Sequence, residues 1–399
     1  MLQVDEARAR ILAGFSPLDT IEVPVGDALG MVPNTDQLAP HPLPRFDNSA
    51  MDGYAVRRAD LSTLPVELRV TGEVKAGDPG EHLVEEHTAA RIMTGAPLPP
   101  GADAVVPVED TTEAGGTVTI TAAPPKHGHI RPAGDDVATG DVCVGAGTEL
   151  GAGELALLAS LGLSPVTVHR RPVVHVLSTG DELVAPEAQP GAGQIRDSNS
   201  VALRALIEEA GGIATVVGPI ADDRAAVLDA VAAATEDADL IVSSGGVSVG
   251  RYDFVKEVVE ELGAIDLWRV AMQPGKPVVS GRAKDVPFLG LPGNPVSIHI
   301  GFEQFVRPAI RKMRGCSSLL RPTIEARLAT AIEKAPGRLH FVRVRLEFTA
   351  KGAIATPIGK QGSHIQSSLV DCHGVARFDV DRSKLEAGDP VVVEVWRLP

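Results

Sequence analysis

The sequence predicts a multidomain α/β plus β protein. We expect a central doubly wound α/β domain, a β-rich domain inserted in the N-terminal half and a small barrel-like β domain at the C-terminus. Three observations support this fold class. The 399 residues exceed the ~100–200 of a usual domain. Apolar strands alternate with helices from residue 168 to about residue 318. Short strand-like segments, separated by glycine and proline, come before and after that region.

Composition disfavours several classes of protein. Apolar residues make up 44% of the chain and aromatic residues only 3%, so the cores must be aliphatic. The net charge of −15 disfavours a nucleic-acid protein, because an acidic surface repels phosphate backbones, but it does not exclude an anionic ligand in a locally basic cleft. Cys143, Cys316 and Cys372 lie far apart and no CxxC pair exists. This disfavours a disulfide framework or a zinc ribbon and favours a cytoplasmic location.

No targeting or membrane segment is expected. The N-terminal residues carry charges every few positions and lack the apolar stretch of a signal peptide. No run of ~18 apolar residues occurs, so the sequence predicts no membrane span.

The N-terminal half divides into unlike segments. Residues 3–14 are predicted to form an amphipathic helix. Residues 31–45 are rich in proline, which fixes φ and removes a donor, so they should form an extended connector. Residues 66–135 carry short strand-like segments between glycines and prolines, which predicts a small β-rich domain. The pattern does not assign residues 140–165 to any one of these segments.

From residue 168 the chain alternates between apolar strands and helices. The predicted strands are PVVHVLS, IATVVG, ADLIVSSGG and VPFLGL, and the predicted helices are SNSVALRALIEEAG, DDRAAVLDAVAAAT, FVKEVVEELG and VSIHIGFEQFVRPAIRKM. Continuous apolar strands between helices are typical of a parallel sheet covered on both faces. From residue 320 the helices stop, and strand-like segments predict the final β domain.

Three glycine-rich loops follow three of the predicted strands. They are STGDEL (178–183), SSGGVSVGRYD (243–253) and LPGNPVS (291–297). The carboxyl ends of parallel strands meet at one edge of a sheet, and ligands bind at that edge. Glycine lets backbone N–H groups approach a ligand closely, and Ser297 lies near the start of a helix, whose N-terminus favours anions. We therefore expect the loops to converge on one binding crevice, although each loop alone could be merely a tight turn.

These loops match neither common nucleotide motif. The GK of the nearby QPGKP turn is followed by Pro277, where a Walker A motif needs Ser or Thr, and no loop carries GxGxxG after a first strand. Carboxylates in the loops, such as Asp181, either cap helices or hold Mg²⁺ against a phosphate. Lys276 and Arg251 supply the opposite charge, or are solvated surface residues.

The β-rich domain holds a second polar cluster. Its segments are FDNSAMDGYAV (46–56), RIMTGAPLPPGADAVVPVED (91–110) and IRPAGDD (130–136), in which Arg131 stands near Asp135 and Asp136. Asx turns explain such residues one by one, and composition alone assigns no reaction to them.

These motifs, in this order along nearly the whole chain, resemble the molybdopterin molybdenumtransferase family, which is similar to the E domain of gephyrin. The resemblance rests on FDNSAMDGYAV and LPGNPVS above all. It implies insertion of molybdate into adenylylated molybdopterin with release of AMP, using Mg²⁺. It also implies an elongated homodimer of four-domain subunits whose α/β domain resembles the molybdopterin adenylyltransferase domain. The active cleft would lie between that domain and the FDNSAMDGYAV domain of the partner subunit.

Carried over by motif, the resemblance implies a set of site residues. One subunit would contribute Asp52, Thr94, Arg131 and Asp136, and the other Glu182, Asp222 or Asp223, Asp253, Lys276, Pro292 and Pro295. We expect catalytic roles for Asp52, Thr94, Glu182, Asp253 and Lys276. Mg²⁺ would be held by Asp52, Glu182 and Asp253. The expected substrate-binding residues are Arg131, Asp136, Ser244, Gly245, Gly246, Ser248, Gly250, Pro292, Gly293, Asn294, Pro295 and Ser297. The chain departs from several relatives at Gln273, where they have a basic residue before PGKP.

The resemblance also implies a domain division and partners. We expect a discontinuous linker and dimerisation domain (1–39 and 138–167), a β-rich inserted domain (40–137), a molybdopterin-binding α/β domain (168–318) and a C-terminal β domain (319–399). Besides a second copy, molybdopterin adenylyltransferase and molybdoenzymes are expected partners. Two other functions stay open: an adenylyltransferase or pyrophosphatase on a related pterin or nucleotide, and a non-catalytic scaffold similar to gephyrin.

Overall fold

The computed structural model of the chain describes residues 1–126, 128–245 and 254–399. The chain forms two compact units. The first unit comprises Met1–Asn34, Ala146–Gly151 and Pro165–Pro399, and the second comprises Thr35–Gly145 and Ala152–Ser164. Across these described ranges, none of the helices has the length and apolar character needed to cross a membrane.

The second unit is β-rich, as the sequence predicts. Its main sheet has six strands in the spatial order Ala104–Pro107, Gly53–Val56, Thr88–Ile92, Val66–Val74, Thr117–Ile120 and Thr111–Ala114. Small aliphatic residues such as Ala55, Ala90 and Val105 are fully buried in it, as the low aromatic content requires. The remaining elements of this unit are the paired strands Asn48–Ser49 and Ile130–Arg131, the paired strands Gln37–Leu38 and Val142–Val144, the helix Ala152–Ser160, and the 3₁₀ turns Arg58–Leu61 and Val108–Asp110.

The first unit begins with the predicted amphipathic helix, which spans Val4–Ala13 and buries Val4, Ala7, Arg8 and Ile11. A three-stranded sheet follows, in which Val166–His169 lies between Thr20–Val23 and Val32–Pro33. A 3₁₀ turn covers Val25–Asp27.

The α/β domain of this unit contains a six-stranded sheet. Its spatial order is Ile213–Ile220, Val173–Thr179, Leu240–Ser244, Val286–Leu291, Pro277–Ala283 and Gly263–Arg269. The first four strands are parallel. These four are the strands that the sequence predicts. Two further strands, which it does not predict, run antiparallel at one edge of the sheet. Short turns rather than helices connect these two strands to their neighbours, so no crossover forces them to be parallel.

Helices cover both faces of this sheet. They span Ser198–Glu209, Arg224–Ala234, Phe254–Leu262 and a continuous helical run from residue 295 to 313. Asp197 and Asp223 cap the first two helices, because each side chain accepts a hydrogen bond from a backbone N–H in the first turn. A small pair of parallel strands, Leu183–Val184 and Ile195–Arg196, lies beside the domain.

The run 295–313 differs from the single α-helix that the sequence predicts. It consists of an α-helix (Pro295–Gly301), a π-helical turn (Phe302–Val306) and a second α-helix (Arg307–Met313). Pro308 has no backbone N–H, so the carbonyl of Gln304 lacks its α-helical donor. This missing bond accounts for the irregular turn.

The C-terminal domain is a closed five-stranded barrel. Its strands are Thr323–Leu328, Leu339–Thr349, Gly352–Pro357, Gly374–Phe378 and Pro390–Val395. Closure results from the pairing of Leu339–Thr349 with both Gly352–Pro357 and Gly374–Phe378. Strand Met272–Gln273 of the α/β domain pairs with the start of Leu339–Thr349. Ile332–Glu333 pairs with Lys384–Leu385, and a 3₁₀ turn covers Gln366–Leu369.

Candidate functional site

The three glycine-rich loops begin at adjacent strand ends, as the alternation of strands and helices predicts. Ser178, Ser244 and Leu291 lie side by side in register at the carboxyl edge of the parallel sheet. The backbone N–H of Gly245 donates to the carbonyl of Leu291 at 2.9 Å. The second and third loops are therefore joined directly where they leave the sheet.

A cleft of about 470 Å³ opens beside these loops. We call it the PGKP cleft. The described residues that line it are Gly245, Gln273, Pro274, Gly275, Lys276, Pro277, Pro292, Gly293, Asn294, Ser297, Arg338, Gln361, Gly362 and Ser363. Lys276 and Arg338 are cationic, and no described lining residue carries a carboxylate. Amides and hydroxyls supply the other side-chain donors, so the cleft is suited to an anion.

The barrel supplies one wall of the PGKP cleft through Arg338 and residues 361–363. The fully buried Arg343 holds this wall in place. Its guanidinium donates to the carbonyls of Lys360 (3.3 Å) and Gly362 (3.2 Å), and its backbone N–H donates to the Gln361 side chain at 2.9 Å. Burial lowers the pKa of Arg343 to about 10.

Sequence reasoning missed this barrel wall. Arg338, Gln361 and Ser363 belong to the C-terminal β domain, to which the rule about parallel strand ends does not apply. No glycine-rich loop after a predicted strand singles them out, so the sequence alone carries no comparable signal for these residues.

Several predicted binding residues come together at the α/β wall of the cleft. Those that line it are Gly245, Lys276, Pro292, Gly293, Asn294 and Ser297. Ser244 is buried at its strand end, and Pro295 begins the helical run. Gln273 also lines the cleft. The predicted site residues Gly246, Ser248, Gly250 and Asp253, together with Arg251, lie outside the described residues.

Carboxylates gather at the first loop. Asp181 Oδ1 accepts a hydrogen bond from the backbone N–H of Asp222 at 3.0 Å. Partial burial raises the pKa of Asp222 above its usual value, and the charges of Asp181 and Glu182 raise it further. The hydrogen bond between Asp222 and Asp181 lowers this pKa, but by less than burial raises it. Asp223 instead caps a helix by accepting from Ala226 at 3.0 Å. Of the two candidates in ADDR, Asp223 therefore has a structural role as a helix cap, and Asp222 is the better candidate for the site.

Glycine is required next to this carboxylate group. A Cβ on Gly180, whose φ is +150°, would lie 2.7 Å from the carboxylate of Glu182. The absence of a side chain at this position lets Glu182 fold back over the loop.

The second unit gathers its own polar residues. Asp52 Oδ1 accepts hydrogen bonds from the backbone N–H and the hydroxyl of Thr94, each at 2.7 Å. Both bonds lower the pKa of Asp52, and the bond from the backbone N–H has the larger effect. Arg131 lies in register with Asn48, so the segments IRPAGDD and FDNSAMDGYAV are paired strands. All three segments of the predicted cluster thus meet in one unit.

Two further contacts hold this cluster. Asp47 Oδ1 accepts from the backbone N–H of Ala133 at 2.7 Å. The backbone N–H of Asp136 donates to the carbonyl of Leu43 at 3.0 Å, which anchors the end of the IRPAGDD segment.

The carboxylates of the first loop are hard oxygen ligands, the kind that Mg²⁺ prefers. Within the residues described, no three His, Cys, Asp or Glu side chains converge as a ready metal site. Mg²⁺ commonly uses one or two carboxylates together with phosphate oxygens and water. Glu182 and Asp222 provide such hard oxygens. Burial first, and then the charges of Asp181 and Glu182, raise the pKa of Asp222, and a divalent cation would offset the repulsion between these carboxylates.

Comparison with known proteins identifies similar sequences over the whole chain. Three family descriptions match: the MoeA N-terminal region, domains I and II (residues 2–162), a probable molybdopterin binding domain (175–312) and the MoeA C-terminal region, domain IV (325–396). The molybdopterin molybdenumtransferase of Haemophilus influenzae is 39% identical over 99% of this chain and 98% of its own length. Molybdopterin molybdenumtransferase 2 of Mycobacterium tuberculosis is 39% identical over 95% of each chain.

Solved structures agree with these sequence matches. A crystal structure of the molybdopterin biosynthesis MoeA protein from Pyrococcus horikoshii is 33% identical, with a TM-score of 0.85 over 100% of this chain and 99% of that chain. Another crystal structure, described as a molybdopterin biosynthesis MoeA protein from Pyrococcus horikoshii OT3, is 28% identical, also with a TM-score of 0.85, over 99% of this chain and 100% of that chain.

Proposed function

The chain belongs to the MoeA family of molybdopterin molybdenumtransferases, and on that premise we propose that it inserts molybdate into adenylylated molybdopterin and releases AMP. The observation that carries the proposal is the PGKP cleft. It lies at the ligand-binding edge of the α/β domain and combines two cationic side chains with no described carboxylate.

In this proposal molybdate enters the PGKP cleft as a substrate. An oxyanion needs charged and neutral donors around its oxygens. Lys276 supplies a charged donor from the α/β wall and Arg338 one from the barrel wall. The hydroxyls of Ser297 and Ser363 are neutral donors within the same cleft.

We propose Mg²⁺ as the ion that assists the reaction. When bound, it neutralises charge on the phosphoanhydride as AMP leaves. Glu182 and Asp222 would hold it from the first loop, and Asp253 remains a predicted ligand outside the described residues. The reactive sulfurs belong to the pterin, which agrees with three cysteines that are scattered in sequence.

The cluster of the second unit completes the site in this proposal. Thr94 fixes one oxygen of Asp52, which leaves the other oxygen for a ligand or metal. Arg131 adds a positive charge on a strand paired with the FDNSAMDGYAV segment. The family resemblance supports a homodimer in which one subunit supplies this cluster and its partner supplies the PGKP cleft.

The proposed location is the cytoplasm, where molybdopterin adenylyltransferase would supply the substrate and molybdoenzymes would accept the product. A bare adenylyltransferase or pyrophosphatase would not need the second unit, and a scaffold would not need the paired cations of the cleft. Neither alternative explains both features.

The proposal is tested with purified protein, adenylylated molybdopterin, molybdate and Mg²⁺. AMP release should require molybdate, and the product retained by the protein should contain molybdenum by mass spectrometry. Arg338→Ala should lower this activity at least tenfold, whereas Arg345→Ala, at an exposed position on the strand that begins directly after Arg338, should not. AMP release at the same rate with and without molybdate would indicate a pyrophosphatase instead.

A further inference from the structure

A buried polar network crosses the apolar core of the first unit. Its central members are Arg8, Gln304 and Glu394, which are only 8%, 2% and 7% exposed. Arg8 lies on the N-terminal helix, Gln304 in the π-helical turn of the α/β domain and Glu394 on the last barrel strand. We call these three residues the Arg8 network.

The contacts of the Arg8 network run without interruption from the helix to the barrel. Arg8 Nε donates to the carbonyl of Gln304 at 3.0 Å, and Arg8 Nη2 donates to the Gln304 side chain. Gln304 Nε2 then donates to Glu394 Oε2 at 2.6 Å. At the rim, Arg377 lies 3.7 Å from both Glu394 and Asp5, and Asp5 accepts from Arg8 at 2.8 Å.

The π-helical turn suits this network. In an α-helix the carbonyl of Gln304 would accept from residue 308, which here is Pro308 and has no N–H. Arg8 therefore donates to a carbonyl whose α-helical donor is missing. Pro308 leaves the Gln304 carbonyl without a helical donor, and Arg8, 300 positions from that proline in sequence, supplies the missing hydrogen bond.

The packing around the network is otherwise apolar. Phe302, Phe305, Phe341 and Val375 are fully buried in the same core cluster, where barrel and α/β residues meet. Apolar contact is non-directional, so this packing stabilises the docked barrel without fixing its register. The backbone pairing of Met272–Gln273 with Leu339 and His340 fixes the register at one end of the interface. A satisfied buried polar network does fix one register, because sliding would leave its groups unpaired.

The register of the barrel matters for the PGKP cleft. Lys276 and Ser297 belong to its α/β wall, whereas Arg338 and Ser363 belong to its barrel wall. The two walls touch where the backbone N–H of Val296 donates to the carbonyl of Ser363 at 3.1 Å. A small shift of the barrel would change the separation of the two cations.

We propose that Arg8, Gln304 and Glu394 are positioning residues that hold the barrel in the register at which Lys276 and Arg338 bind the same oxyanion. The inference rests on the proposed function for the identity of that oxyanion, and on the contacts above for the positioning itself.

The test compares two arginines of one helix. Arg8→Met removes the donors but keeps most of the volume, and Arg10→Met changes an exposed residue paired only with Glu6 among its described contacts. In Arg8→Met the dissociation constant for molybdate, measured by calorimetry, should rise about fivefold, and hydrogen exchange should quicken at residues 339–343 and 360–363. Arg8→Lys should recover part of the affinity, and Arg10→Met should match the wild type.

A lowered melting temperature with unchanged molybdate affinity and unchanged exchange in Arg8→Met would overturn the proposal, because the network would then be merely structural. If Arg8→Met does not fold, Glu394→Gln serves instead, since it keeps an acceptor for Gln304 and removes the charge that faces Arg377. It should raise the dissociation constant about twofold, and an unchanged value would again overturn the proposal. Wild-type protein that binds no molybdate would contradict the proposed function, while the exchange comparison would still decide the positioning.

Discussion

Asp52 and Thr94 are joined by two hydrogen bonds to a single carboxylate oxygen, one from the backbone N–H and one from the hydroxyl of Thr94. The two residues are 42 positions apart in sequence, and three of the six strands of the main sheet of the second unit lie between them, so the sheet brings two distant motifs into contact. The bonds stabilise the ionised carboxylate, since they lower its pKa. Asp52 is therefore held charged and oriented.

The hydroxyl of Thr94 can be tested apart from its backbone N–H. Thr94→Val should raise the pKa of Asp52 toward its ordinary value, because one of the two stabilising bonds is lost. The acid limb of the activity–pH profile should move to higher pH, and a carbon-13 NMR titration of Asp52 should show the same shift. Thr94→Ser keeps the hydroxyl and is the control. A profile for Thr94→Val that matches Thr94→Ser would contradict this role.

Asp222 and Asp223 should have separable effects. Asp223→Ala should lower the free energy of unfolding by about 1 kcal/mol through loss of the helix cap, with activity per folded molecule preserved. Asp222→Asn should leave stability nearly unchanged and raise the Mg²⁺ concentration needed for half-maximal AMP release. Denaturant titration and Mg²⁺ titration of both variants check this. The reverse pattern would assign the metal-binding role to Asp223.

His340 should make the protein less stable in acid. It is 4% exposed, and burial, followed by the charges of Arg343, Lys334 and Arg338, lowers its pKa from 6.5 to about 4. Between these values the unfolded chain binds a proton that the folded chain does not, so stability is lost as the pH falls through this window. The contribution reaches up to about 3 kcal/mol.

The measurement is the free energy of unfolding from denaturant titrations between pH 4 and pH 7. His340→Phe should have a shallower pH dependence than the wild type. His87→Asn, at a histidine whose side chain is 72% exposed, should keep the wild-type slope. An unchanged slope for His340→Phe would show that this histidine titrates normally.

The proposed homodimer predicts complementation between subunits. Asp52→Ala and Asp253→Ala proteins should each be inactive, because each lacks one half of the site. Co-expressed as heterodimers, they should recover activity at one of the two clefts, to at most about half of the wild-type rate. AMP release by purified, differentially tagged heterodimers checks this. Failure to recover any activity would favour a site built within one chain.

Local patterns predicted the fold well where each element buries one face. The N-terminal helix and the strands that end in glycine-rich loops follow directly from apolar periodicity. The antiparallel strand Gly263–Arg269 was missed, because the sequence IDLWRVA gives no sign of which neighbour it pairs with. The π-helical turn was missed as well, since it depends on Pro308 and Arg8 together, and only the fold brings them close.

The part of the candidate site that lies at the ends of the α/β strands was predictable from the sequence, and the part in the barrel was not. Lys276, Asn294 and Ser297 were expected at the crevice and line the PGKP cleft. Arg338 and Ser363 were not expected, because barrel docking depends on contacts spread over the surfaces of two domains. The roles of the predicted residues stay predictions, and those at positions 246–253 lie outside the described structure.

The central claim is that the PGKP cleft binds molybdate for insertion into the pterin. Titrating AMP release with molybdate, at a fixed concentration of adenylylated molybdopterin and at low and high salt, tests it most directly. Lys276→Ala should raise the half-maximal molybdate concentration about tenfold at both salt concentrations, because a charge-assisted bond is lost. Gln273→Lys should lower that concentration, because it adds a cation to the cleft. A Lys276→Ala curve that superimposes on the wild type, or a Gln273→Lys effect that vanishes at high salt, would contradict direct binding of molybdate in this cleft.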